Sequence, residues 1–118
     1  MLDQIDLKAK ISKSEYKAQM DKLEIRLSTL QRKVRERGIP VAIMFEGWAA
    51  AGKGTVINDL ILPLDPRGFT VHSILPPTED EKLHPFLWRF WLKTPARGRL
   101  AVFDRSWYRP ILNQSIDP

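Results

Sequence analysis

Val41-Ala42-Ile43-Met44-Phe45-Glu46 followed by Gly47-Trp48-Ala49-Ala50-Ala51-Gly52-Lys53-Gly54-Thr55 is the stretch whose reading decides the fold. Val41 to Glu46, apolar without a break as far as Phe45 and bounded by a glycine-rich loop, reads as a buried strand. From Lys53 to about Leu62 the spacing turns helical, with Val56, Ile57, Leu60 and Ile61 expected to face inward. A glycine loop gains physical meaning from a strand before it and a helix after it. Glycines let the backbone close around an anion, successive N–H groups and the positive end of the helix surround it, and Lys53 adds a mobile point charge. Gly47, Gly52, Lys53, Gly54 and Thr55 are therefore the expected phosphate-binding residues.

Upstream, Ser12 and Glu15 form a capping-box signature that opens a helix, and Gly38 and Pro40 end it. Tyr16, Met20, Leu23, Leu27, Leu30 and Val34 make one apolar stripe, expected to pack on the body of the domain or on a partner subunit. Downstream, Asp65-Pro66-Arg67-Gly68 is a turn with proline at its favoured second position, and Phe69 to Leu75 reads as a second strand. Thr78 and Glu81 form another capping box, opening a helical stretch that Pro85 breaks or restarts before about Lys93. Within it, Phe86, Leu87, Trp88, Phe90, Trp91 and Leu92 nearly encircle one helix, the pattern of a buried one. Leu100 to Phe103 is a third strand, ending in Asp104.

Strands alternating with helices predict an α/β fold with a parallel sheet and right-handed crossovers. The expected division is a helical segment over 1–38 and a partial domain over 39–118. Three strands fall short of the usual ~5 of a covered parallel sheet, and the last stretch, Arg109 to Pro118, has no amphipathic period. The chain is therefore expected to be a piece of a larger working unit.

At 118 residues, 43% of them hydrophobic and 28% charged, the chain fits one folded domain rather than a disordered segment. No apolar run approaches the ~20 residues of a membrane span, and Met1 to Lys10 lack the basic start and apolar block of a secretory signal. With no cysteine there are no disulfides or thiolate metal sites, which is compatible with a cytoplasmic setting. A net charge of +5 draws polyanions of any kind by long-range field.

An apolar strand ending in an acid is the layout by which such folds bring a carboxylate beside the phosphate loop to hold Mg²⁺, here Asp104. Arg105, its neighbour, can clamp a phosphate bidentately or join a surface ion pair. Arg89, Lys93, Arg97 and Arg99 either border a polyanion channel or form a solvated face, and Trp107 and Tyr108 either line a site or pack under it. His72 and His84 have no companion ligand at metal spacing.

Phe45-Glu46-Gly47, Ala50-Ala51-Gly52-Lys53-Gly54, Leu64-Asp65-Pro66-Arg67-Gly68 and Phe103-Asp104-Arg105-Ser106-Trp107-Tyr108 together resemble the polyphosphate kinase 2 family, in its order and spacing from about Ile39 to Tyr108. The resemblance implies a P-loop, thymidylate-kinase-like three-layer α/β/α sandwich. It also implies Mg²⁺-dependent transfer of phosphate between inorganic polyphosphate and a nucleoside mono- or diphosphate such as AMP or ADP. By resemblance Lys53, Asp104 and Arg105 are the catalytic residues, and Asp104 with Thr55 serves the metal. Neither a membrane nor a nucleic acid is implied as a partner; a homo-oligomer or a catalytic partner domain is.

The sequence departs from the family's pattern at Ala49, where an Asp is usual, and at Pro110, where an Arg is usual. The family's lid and later arginines are expected past Pro118. These departures resemble the N-terminal half of tandem members, so two alternatives stand beside the enzyme. One is a degenerate half that binds phosphate or supports a catalytic domain. The other is an ATP-dependent nucleoside monophosphate kinase, since Gly-Lys-Gly-Thr also occurs in adenylate-kinase-like enzymes.

Overall fold

In the computed structural model, residues 9–110 are described. The elements run α1 (Lys13–Arg37), β1 (Val41–Phe45), α2 (Lys53–Ile61), a 3₁₀ turn (Pro66–Gly68), β2 (Phe69–Ser73), α3 (Glu79–Lys82), α4 (Trp88–Trp91) and β3 (Leu100–Asp104). The expectations for Met1 to Lys8 and for 111–118 lie outside the described residues.

The sheet is α/β in type, parallel throughout, in the order β1-β3-β2. The last strand in sequence is thus the central one, and it is the most apolar: Ala101, Val102 and Phe103 are at most 2% exposed. Side chains alternate across a strand. Ala101 and Phe103 therefore share one face, where they join Phe90 of α4, Met44, Ile74 and Trp107 in the core. Leu100 and Val102 are left for the opposite face, and α2 packs against β3. Helical cover on both faces of a parallel sheet is the three-layer arrangement.

The helix ends fall where read, but the first capping box forms only by half: Ser12 Oγ accepts the Glu15 N–H, no bond returns from the Glu15 carboxylate among the described residues, and the Gly38 N–H closes α1 onto Val34 and Arg35. Thr78 and Glu81 make both bonds of a capping box. Burial departs from the apolar patterns in three places. On α1, Met20, Leu27 and Val34 are half-buried, whereas Tyr16, Leu23 and Leu30 of the same stripe are exposed. On α2 Ile57 is buried, but Val56 points to solvent. The ring of Phe86 to Leu92 does not form a buried helix: Pro85 interrupts it, α4 is a single turn, and only Phe90 is buried while Trp91 and Leu92 are exposed.

What fixes α1 to the body is polar. Gln31 is 7% exposed in the middle of the helix, its Oε1 accepting the Asp65 N–H at 2.7 Å and its Nε2 donating to Asp65 O at 2.9 Å. A side-chain amide here satisfies a backbone amide pair as a strand neighbour would. Gly68 is required beneath it, since a Cβ there would collide with Gln31 Nε2. The Asp65 carboxylate accepts from the Arg67 guanidinium at 2.9 and 3.1 Å, and that bond leads the causes that hold its pKa at about 2.

Gln31→Ala leaves a buried peptide group without its partners and should cost about 2–3 kcal/mol. Gly68→Ala should cost at least as much by displacing the same amide, whereas Leu23→Ala on the exposed part of the stripe should be nearly neutral. Urea denaturation of the three variants checks the order.

Candidate phosphate-binding site

The carboxyl ends of three parallel strands meet at one edge, where open α/β sheets bind ligands. In register, Phe45 of β1, Asp104 of β3 and Ser73 of β2 lie side by side. Each strand end carries a different piece of chemistry.

At the end of β1 the chain turns through Gly47 and Gly52, both at positive φ (147° and 84°). Gly52 caps α2 in the left-handed region, a conformation costly for other residues. The first helical bond runs from Val56 N–H to Gly52 O at 3.1 Å, so the N–H groups of Lys53, Gly54 and Thr55 have no acceptor within the helix. Lys53 Nζ bends over the loop and donates to Gly47 O at 3.0 Å and Trp48 O at 2.9 Å. A Cβ on Gly54 would meet nothing within 4 Å, and its φ is not positive. Neither packing nor backbone strain calls for glycine there, and what glycine provides is a bare backbone at the helix start.

At the end of β3, Asp104 Oδ1 and Arg105 Nε are buried without a hydrogen-bond partner among the described residues. The main chain between them is fixed from both sides: Asp104 O accepts the Ile74 N–H at 3.1 Å and the Arg105 N–H donates to Phe45 O at 3.0 Å. Arg105 has φ 68°, the only non-glycine residue at positive φ among the described residues, and such a conformation costs of order 1–3 kcal/mol. Glu46 holds this turn. Its Oε1 accepts both the N–H and the Oγ–H of Ser106, at 2.7 and 2.6 Å, and Ser106 is 2% exposed. Glu46 thereby ties the start of the glycine loop to the turn that carries Asp104 and Arg105.

At the end of β2 lies a cleft of about 550 Å³, walled by Ile74, Pro76, Phe86 and Phe90 and edged by Arg89 and Arg105. From β1 through β3 to β2 the edge thus carries a glycine loop with helix-start N–H groups, a carboxylate beside a guanidinium, and a largely apolar cleft.

The expected site residues lie along this edge: Gly47 and Gly52 on the loop, Lys53, Gly54 and Thr55 in the first turn of α2, Asp104 at the end of the central strand and Arg105 just after it. Trp107 packs under the site, its ring 5.7 Å from Phe90 and 5.9 Å from Phe103. The four cations do not line one channel. Arg89 and Lys93 pair with Glu81, while Arg99 precedes β3 at the other end of the sheet and donates to Arg67 O. Burial, reinforced by Lys93, holds the His72 imidazole below its ordinary value of 6.5, and among the described residues no three His, Asp or Glu side chains cluster as metal ligands. Nothing in the sequence pattern marked Glu46 and Ser106 as a pair, because they lie sixty residues apart.

The chain is similar to known proteins over nearly its whole length. The family model for polyphosphate kinase 2 matches residues 10–117. A polyphosphate:AMP phosphotransferase of Pseudomonas syringae pv. tomato is 40% identical over 99% of this chain and 24% of its own length. One of Pseudomonas aeruginosa is 42% identical with the same coverages. A crystal structure assigned to polyphosphate kinase 2 from Pseudomonas aeruginosa PA01 superposes with a TM-score of 0.86 at 42% identity, covering 98% of this chain and 25% of that one. Polyphosphate kinase 2 from Arthrobacter aurescens TC1 gives 0.80 at 31% identity, covering 94% and 42%. The chain spans about a quarter of the length of the phosphotransferases it matches.

Two substitutions at this edge should raise stability while stripping the site. Gly54→Ala adds a helix former in open space, and Arg105→Gly relieves the positive φ; each should add up to about 1 kcal/mol. Paired urea denaturation and phosphate-binding assays should move in opposite directions.

Proposed function

The chain belongs to the polyphosphate kinase 2 family, and from that premise we propose that the protein moves a terminal phosphoryl group between inorganic polyphosphate and a nucleoside mono- or diphosphate. In the forward sense the bond between the terminal phosphorus and its bridging oxygen breaks. A bond to an oxygen of the nucleotide's last phosphate forms, and polyphosphate leaves one unit shorter. Such transfer asks little covalent work of a protein and much positioning and charge neutralisation. The loop from Gly47 to Thr55 holds the phosphate chain on its N–H groups, Lys53 releases the loop carbonyls to pair with phosphate oxygens, and Arg105 stabilises the group in flight.

The observation that carries this reading is the convergence of the bare helix start at Gly54 with the partnerless Asp104 Oδ1 and Arg105 Nε on one sheet edge. A buried carboxylate oxygen without a donor suits a divalent cation. One carboxylate with a hydroxyl and phosphate oxygens suits Mg²⁺, which keeps several waters and takes few protein ligands. Asp104 and Thr55 are the residues that would hold it, and its chemistry would be to neutralise charge on the phosphate oxygens. Among the described residues no helix is long and apolar enough to cross a membrane.

A second reading, a phosphate-binding half without turnover, is favoured by Ala49. The loop has no acid of its own there, and Glu46, the nearest carboxylate in sequence, is committed to Ser106. The two readings part on whether polyphosphate-dependent product appears; an ATP-dependent monophosphate kinase would instead require ATP as donor.

Lys53→Ala should weaken polyphosphate binding at least about 10-fold, as loss of the ammonium from the centre of an anion nest would do. Titration calorimetry reads this. Unchanged affinity would make Gly47 to Thr55 a turn and nothing more.

A further inference from the structure

Every strand of a parallel sheet starts at the same end, so the segments that lead into β1, β2 and β3 meet on the side away from the glycine loop. These segments, 35–40, 65–68 and 96–99, carry Arg35, Arg37, Arg67, Arg97 and Arg99 against Glu36 and Asp65. Three of the chain's net five positive charges thus fall on fourteen residues, and all five arginines are exposed. Close backbone packing holds the segments together. Gly98, at φ 77°, stands where a Cβ would come within 3.2 Å of the Arg35 main chain, and a Cβ on Gly38 would touch that of Arg97 at 4.0 Å. The Gly98 N–H donates to Ile39 O at 3.2 Å and the Val41 N–H to Arg99 O at 3.0 Å, while Arg99 Nη1 donates to Arg67 O at 2.6 Å. The two acids neutralise little beyond their own neighbours. Asp65 accepts both bonds of the Arg67 fork, and Glu36 lies 3.9 Å from Arg32. Arg37 and Arg97 form no ion pair among the described residues, and Arg35 lies 3.9 Å from Asp65, past hydrogen-bond distance. Beside them is a hollow of about 290 Å³ lined by Gln31, Arg32, Arg35, Gly68 and Gly98.

Taking its ligand from the reading above, on which it rests, we propose that this amino edge is a second holding surface for inorganic polyphosphate, gripping the polymer at a distance from the phosphate that reacts. Crowded cations repel one another until an anion joins them. Arginine forks match phosphate oxygens, and several exposed forks suit a ligand that carries charge along its whole length. The three segments contain no Phe, Tyr or Trp, so they offer a base nothing to stack on, whereas surfaces that hold single-stranded nucleic acid combine cations with aromatic platforms. A bare phosphate polymer is the polyanion this composition fits. Five-residue strands set the two edges ~17 Å apart. Tripolyphosphate cannot reach across, but a long polymer held at the glycine loop can, and its second contact is then intramolecular. The surface therefore selects for polymer length.

The test is calorimetric titration of the protein with tripolyphosphate and with long-chain polyphosphate over a salt series. Arg37→Gln combined with Arg97→Gln should weaken long-chain binding about 3- to 10-fold and flatten its logarithmic salt slope by about one to two, while tripolyphosphate changes less than about 2-fold and the melting temperature does not fall. Arg32→Gln, on α1 beside the hollow, should act in the same direction and serves if the double variant does not fold. Equal long-chain affinity and salt slope in variant and parent overturn the proposal. So does an equal loss for tripolyphosphate, which would reduce the arginines to a general field. Polyglutamate or nucleic acid that binds as tightly as polyphosphate of equal charge, and loses as much in the variant, overturns the choice of ligand. Lys53→Ala separates the two readings: tripolyphosphate binding that ignores Lys53, with long-chain binding still dependent on Arg37 and Arg97, overturns the loop's role and leaves the amino edge standing.

Discussion

The register of the parallel sheet, with Phe45, Asp104 and Ser73 abreast, is the constraint on which the rest of this structure depends. It is held by β3, whose Val102 and Phe103 are shut off from solvent and whose neighbours pair along its full length on both sides. A slip of one residue would turn Phe103 out of the core and move Asp104 off the edge, because strand side chains alternate. Hydrophobic burial in the central strand thus places a carboxylate, and main-chain bonds from Ile74 and to Phe45 keep it there.

The site is built against local preference at several points. Glycine at position 54 weakens a helix start, Arg105 sits at positive φ, and buried polar atoms of Arg89, Asp104 and Arg105 have no hydrogen-bond partner among the described residues. Unsatisfied buried groups and strained backbone are usually few in a folded chain, and they concentrate where a ligand completes the arrangement. All of them here lie at the carboxyl edge of the sheet or along the cleft beside it. Near the opposite end of the sheet, the Gln31 amide and the Asp65 main chain satisfy one another.

Much of this is readable from residues. A short apolar run, glycines and a returning helical period suffice for the loop, and the capping pairs Ser12 with Glu15 and Thr78 with Glu81 locate helix starts because their chemistry is local. The strand order is not local: nothing in Leu100 to Asp104 says that the last strand enters between the first two, although its unbroken apolar character is what a central position demands. The aromatic run from Phe86 to Leu92 misleads for the same reason. Its composition fits a buried helix, but Pro85 leaves a single turn that presents only Phe90 to the core. Gln31, Glu46 and Arg89 escape a pattern reading because each acts through a partner distant in sequence or through an isolated backbone carbonyl.

On the proposed function, the chemistry of this edge depends on positioning and on the carboxylate of Asp104, the residue proposed to hold a metal ion, with Ala49 standing where the resemblance implies a second acid. Phosphorus NMR of the protein with polyphosphate, Mg²⁺ and AMP or ADP tests this most directly. The account predicts new nucleotide diphosphate or triphosphate signals growing as polyphosphate shortens, with Ala49→Asp raising the rate by up to about 10²-fold, the scale of one restored electrostatic element. No transfer from polyphosphate by either the parent or Ala49→Asp, or transfer from ATP alone, would contradict it.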